Sequence, residues 1–169
     1  MPKGRKESRR LQELLHLLAA QGDGAIAQDA LADALWPDAD GDAARNALDN
    51  ALHRLRKWLG GDDRVLLRQG SLSLNGQRCW SDVAALERAL DRLEHCSMPE
   101  FAALIDSLRT LYRGPLLPGV ELAVVAARRL ALQRRVQRGL QAAGQRLGSL
   151  GHADAAAMAS AACESLPDL

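Results

Sequence analysis

Aromatic side chains are almost missing from this chain: Phe, Trp and Tyr make up 3% of its 169 residues. Any core has to be filled by Leu and Ala, which dominate an apolar content of 47% and favour helices packed through small side chains. An excess of one charge is missing too. The formal net charge is +1, and residues 1–78 hold 12 Lys and Arg against 11 Asp and Glu. That argues against binding to nucleic acid through a global basic excess, so any such role has to rest on a local patch. Cysteine is scarce: Cys79, Cys96 and Cys163 are odd in number and far apart. They offer no disulfide framework, zinc spacing or redox pair, and a reduced, cytoplasmic chain is expected. No apolar run approaches the roughly 18 residues of a membrane helix. The basic start MPKGRKESRR is not followed by a signal-type apolar stretch, so neither a membrane partner nor secretion is expected.

Catalytic groupings are lacking as well. His16, His53, His95 and His152 are scattered, and no Ser/His/Asp set or pair of carboxylates stands out. His95-Cys96 lacks further ligand spacing, and Gly60-Gly61-Asp62-Asp63 does not match a phosphate-binding glycine pattern. No enzyme activity, cofactor or metal is expected.

What is present is organised around residues 41–60, GDAARNALDNALHRLRKWLG. At about 100° per residue this run separates into two faces. Ala44, Leu48, Leu52, Leu55 and Leu59 fall on one. Asn46, Asn50, His53, Arg54 and Lys57 fall on the other, with Asp49 at its edge and Arg45 and Arg56 between the two. The first face can pack on a core. The second carries amide, imidazole and cationic groups, the types that contact base edges and phosphates. The same pattern also suits a surface helix whose outer face is merely solvated. Asp40 is placed to cap the helix and Gly60-Gly61 to end it.

The flanking segments favour the first reading. A basic opening of Lys3, Arg5, Lys6, Arg9 and Arg10 leads into a helix from Arg9 to Ala20. It reads as a solvated end or as a phosphate contact. Ala25-Ile26 is too short for more than an extended link. A second helix, Gln28 to Trp36, is poorly capped by Ala27 and stopped by Pro37. Two helices joined by the turn at Pro37–Asp40 make a helix-turn-helix. Arg64–Arg68 and Ser71–Asn75 then form a hairpin turning at Gln69-Gly70, with Arg68 beside the tip. A hairpin so placed is a wing, able to bring a cation to the DNA backbone or minor groove.

From Trp80 onward the pattern is helical only. Val83 to Leu93, Pro99 to Leu111, Leu122 to Leu147 and Ala153 to Leu166 all show helical spacing. The expected fold is therefore mainly α with a small β-hairpin wing. A winged helix-turn-helix occupies residues 1–78 and an all-helical domain residues 79–169. Trp36 and Trp58 are expected in a core or a domain interface. Arg128, Arg129, Arg134, Arg135 and Arg138 are expected to form a solvated or internally paired face.

The run from Ala30 through Trp36-Pro37 to Leu55-Arg56 resembles the OmpR/PhoB-type winged helix of bacterial activators. The match is closer to the branch fused to a bacterial transcriptional activator domain, as in the Streptomyces antibiotic regulatory protein family. Trp80–Leu86 resembles the start of that second domain, and Leu111–Gly119, LYRGPLLPG, its middle loop. Ala155, Ala162 and Pro167 sit at spacings like those of a tetratricopeptide repeat. The resemblance implies a DNA-binding transcriptional regulator with double-stranded DNA, RNA polymerase and a second copy of the chain as partners. It implies that Asn46, Asn50, His53, Arg54 and Arg56 fall where the recognition helix of that family makes its contacts. Asn46, Asn50 and His53 are expected at base edges in the major groove, and Arg54 and Lys57 at base or phosphate. With Arg45 and the wing residue Arg68, these are the candidate DNA-binding residues. Relative to the family, the chain is expected to lack the N-terminal sheet and to carry a shortened helical domain. The competing expectation is a protein-interaction or signalling module whose winged helix no longer binds DNA. It rests on the near-neutral charge and on Asp49.

Overall fold

The computed structural model describes residues 3–167, with side chains from Ser8 onward. The side chains of Lys3, Arg5 and Lys6 in the basic opening lie outside the described residues. The chain is mainly helical with one small antiparallel sheet. It divides into two compact units, Met1–Ser81 with Val120–Ala126, and Asp82–Gly119 with Ala127–Leu169.

The first unit runs α1 (Lys3–Ala20), β1 (Ile26–Ala27), α2 (Gln28–Leu35), α3 (Gly41–Leu59), a short 3-10 turn, β2 (Val65–Arg68) and β3 (Ser71–Leu74). Its core is Leu14, Leu17 and Leu18 of α1, Leu31 and Leu35 of α2, Ala44, Leu48, Leu52 and Leu55 of α3, and Val65 and Leu72 of the sheet. Burying each leucine contributes about 1.5–3 kcal/mol, so this apolar set outweighs the unit's exposed ion pairs, worth about 0–1 kcal/mol each.

The termini of α3 follow their residues. Asp40 Oδ1 accepts from the Ala43 N–H at 2.8 Å. Gly60 takes the left-handed conformation at φ 90°, and the Gly61 N–H donates to Arg56 O at 2.9 Å. The N-terminus of α2 has no side-chain cap at Ala27. The Gln28 N–H donates to Gly70 O at 2.9 Å, so the hairpin tip satisfies one of the N–H groups that the start of α2 leaves without a helical partner.

The strand order is β1-β3-β2, all antiparallel. Ile26 pairs with Leu72 and Ala27 with Ser71, so the segment expected as an extended link is a third strand. Two residues are too few to show a period, and only the partner strand defines them. At the hairpin tip Gln69 and Gly70 both have positive φ, 49° and 74°, the twist that a two-residue turn requires. Glutamine is disfavoured there, whereas asparagine is better tolerated. Gln69→Asn should therefore stabilise this unit by about 0.5–1 kcal/mol in denaturant unfolding. An unchanged midpoint would show that the turn carries no such strain.

The second unit holds α4 (Asp82–Leu93), α5 (Met98–Leu111), most of α6 (Ala123–Ser149) and α7 (Ala153–Ser165). Its core joins Val83, Leu86, Leu90 and Leu93 to Phe101, Leu104, Ile105 and Leu108, and these to Leu132, Val136, Leu140 and Ala159. A Cβ on Gly139 would meet Leu90 Cδ2 at 3.1 Å, so a side chain there would press on the α4 contact. Pro99 occupies the first turn of α5, and Ser97 and Glu100 form a capping box. The hydroxyl and then the N–H of Ser97, bonded to Glu100 Oε2, hold that carboxyl below the usual carboxylate range. The cap is intact at neutral pH and is lost as pH falls through the lowered value.

The arginines of α6 are mostly paired within this unit. Arg128 and Arg135 both donate to Glu87 Oε1, at 2.5 and 3.1 Å, and Arg135 also reaches Asp91. Arg129 donates to Leu116 O and Leu117 O at 2.6 and 2.7 Å and so holds the loop after α5, where Leu117 has φ 46°. Arg134 and Arg138 are exposed.

Candidate nucleic-acid interface

The α3 helix has a continuous apolar stripe, because Ala44, Leu48, Leu52 and Leu55 recur every three or four residues and are buried. That burial fixes its rotation. Asn46, Asn50, His53, Arg54 and Lys57 are consequently exposed on the outer side. Asn50 Nδ2 donates to Asn46 O at 2.9 Å, so its side chain lies back along the helix. That bond is exposed and local, and an Asn rotamer change converts it into an outward amide pair. Such a pair can match the donor and acceptor edge of adenine.

Arg45 is also exposed, and its Nη2 reaches Asp29 Oδ1 of α2 at 2.6 Å. Both partners are well exposed, and pairs of this kind contribute about 0–1 kcal/mol. A phosphate could displace Asp29 at little cost. Arg68 is exposed at the end of β2, opposite Ser71 and beside the Gln69-Gly70 tip.

Arg56 departs from the expected set. It is half-buried, and its Nε and Nη2 donate to Val65 O at 3.1 and 2.7 Å. Its guanidinium ties α3 to β2. The physical reason is its place on the helix: it flanks the apolar stripe on the side where β2 packs. Trp58 departs as well, being 63% exposed, whereas Trp36 is half-buried. Trp58 lies beside the stripe of α3, outside the arc that the core covers. Asp42 and Asp49 are exposed on α3 too, so this surface mixes signs.

Arg10 belongs to the basic opening, expected as a solvated end or as a phosphate contact. In the structure Arg10 and Leu11 of α1, Trp36, and Asn50, Ala51 and Arg54 of α3 line one cavity of about 450 Å³. Arg10 Nη1 also pairs with Glu13 at 2.8 Å. The basic residues at the chain start hinted at Arg10, but only the packing of α1 on α3 brings it to Arg54.

Among the described residues no cluster of His, Cys, Asp and Glu could hold a metal ion. No described helix is long and apolar enough to cross a membrane. No protein-family model matches the chain, and no curated protein or solved structure does either.

Proposed function

We propose that the first unit is a winged helix-turn-helix and that the chain is a DNA-binding transcriptional regulator. The observation that carries this reading is the joint exposure of Asn46, Asn50, His53 and Lys57 on one face of α3, with Arg68 at a hairpin tip bonded to α2. The element order α1-β1-α2-α3-β2-β3 supports it, as does the resemblance of the sequence to OmpR/PhoB-type activators. The α3 helix lies in the major groove, and Arg68 meets backbone or minor groove. The second unit is an activator domain of tetratricopeptide-like kind, available to RNA polymerase or to a second copy of the chain. On this reading the protein works in the cytoplasm, is not an enzyme and needs no cofactor.

A mobility-shift series over salt concentration tests the reading. Binding should weaken steeply with salt, because neutralised phosphates release counterions. Asn50→Ala should reduce discrimination between preferred and altered sites by about 1–2 kcal/mol. Arg68→Ala should weaken binding to all sequences and make the salt dependence shallower. If both variants of a DNA-binding parent kept affinity and preference, the reading helix would lie elsewhere. A second reading, a protein-interaction module, is favoured by Asp42 and Asp49 beside the outer face and by the near-neutral charge. Absence of DNA binding even at low salt would support it.

A further inference from the structure

The two flanks of α3 differ in charge. On the flank facing α1, Arg54 and Asn50 share a cavity of about 450 Å³ with Arg10 and Leu11 of α1 and with Trp36. Its lining thus combines two arginines with the apolar Leu11, Ala47 and Ala51 and with Trp36. On the opposite flank lie Asp49 and Asp42, an Arg45 engaged by Asp29, and an Arg56 bonded to Val65 O. That second flank carries two exposed carboxylates.

A helix inserted in the major groove has a sugar-phosphate strand on each side. Such a strand alternates phosphate anions with largely apolar deoxyribose rings. The cavity beside α1 complements both, with guanidinium for phosphate and an apolar lining for sugar. A guanidinium has five N–H donors, so the bond from Arg10 to Glu13 leaves others for a phosphate oxygen.

We propose that one DNA strand runs through this cavity, with Arg10 and Arg54 clamping its backbone, while the acidic flank holds the other strand off. The inference rests on the DNA-binding reading and adds α1 to the interface as a backbone contact. It makes the contact asymmetric, with α1 meeting a single strand.

The test is a salt series of DNA binding by the full chain carrying Arg10→Ala, Arg10→Lys or Arg54→Ala, with circular dichroism confirming the fold. Each alanine variant should lose affinity equally for preferred and unrelated DNA. The slope of log affinity on log salt should become shallower by about 1 per arginine removed. Arg10→Lys should keep the slope, because it keeps the charge. If the wild type binds DNA and Arg10→Ala leaves affinity and slope unaltered, the strand does not enter the cavity, although the DNA-binding reading stands. A loss in Arg10→Ala confined to preferred sequences would also overturn the proposal, since a backbone clamp carries no sequence information. If the wild type binds no DNA at low salt, the reading falls and this inference with it.

Discussion

Arg56→Ala is expected to destabilise the first unit by about 2 kcal/mol, the range for a hydrogen-bonded charge at a half-buried site. Two donors of one guanidinium converge on Val65 O, so the change leaves that carbonyl without its fork and loosens α3 from β2. Arg56→Lys should recover part of the loss, because an ammonium reaches one acceptor but lacks the planar fork. By contrast Asn50→Ala and Arg68→Ala, at exposed positions, should stay within about 0.5 kcal/mol of the parent. Denaturant unfolding of the four proteins separates them. An Arg56→Ala protein as stable as its parent but unable to bind DNA would make Arg56 a contact residue and its bond to Val65 incidental.

The second large effect belongs to Glu87. Its carboxylate is 13% exposed and serves both Arg128 and Arg135. Glu87→Ala should cost the helical unit about 2 kcal/mol, because it removes a half-buried carboxylate that accepts charged hydrogen bonds from two arginines. Glu87→Gln should cost less, since the amide oxygen still accepts. A cycle combining Glu87→Ala with Arg128→Ala should show a coupling of about 1 kcal/mol or more. Strict additivity would mean that the 2.5 Å contact contributes nothing of its own. DNA binding should be indifferent to Glu87, as the residue lies in the unit that does not carry α3.

Much of the architecture was legible because it is written locally. Asp40, the leucine period and Gly60 mark α3 from end to end, and the alternation of Leu72 and Leu74 with Ser71 and Ser73 marks a strand. The helices of the second unit announce themselves through Val83, Leu86, Leu90 and Leu93 and their counterparts downstream. What was not legible depends on partners distant in sequence. Ile26 and Ala27 are a strand only because β3 lies beside them. Arg56 is one cation among several on the helix, and nothing local tells that it will find the Val65 carbonyl. Arg10 shares a cavity with Arg54 only through the packing of α1 on α3. A tryptophan, large and apolar, suits a core or a domain interface, yet the angular position of Trp58 places it outside the stripe, where it is exposed. Within the candidate site, then, periodicity gave the outward face of α3. It could not show that Arg56, beside that face, is bound within the unit.

The bond from the Gln28 N–H to Gly70 O limits how this surface can change. Hairpin tips ordinarily accept inserted residues, because lengthening an exposed loop costs little chain entropy. Here the tip is also the acceptor for a helix that has no cap of its own. A longer tip would carry Gly70 O away and expose the start of α2, so length and helix stability are coupled at one carbonyl. Side chains on either side of that carbonyl remain free to vary. Diversification of this hairpin is thus channelled into substitution at fixed length.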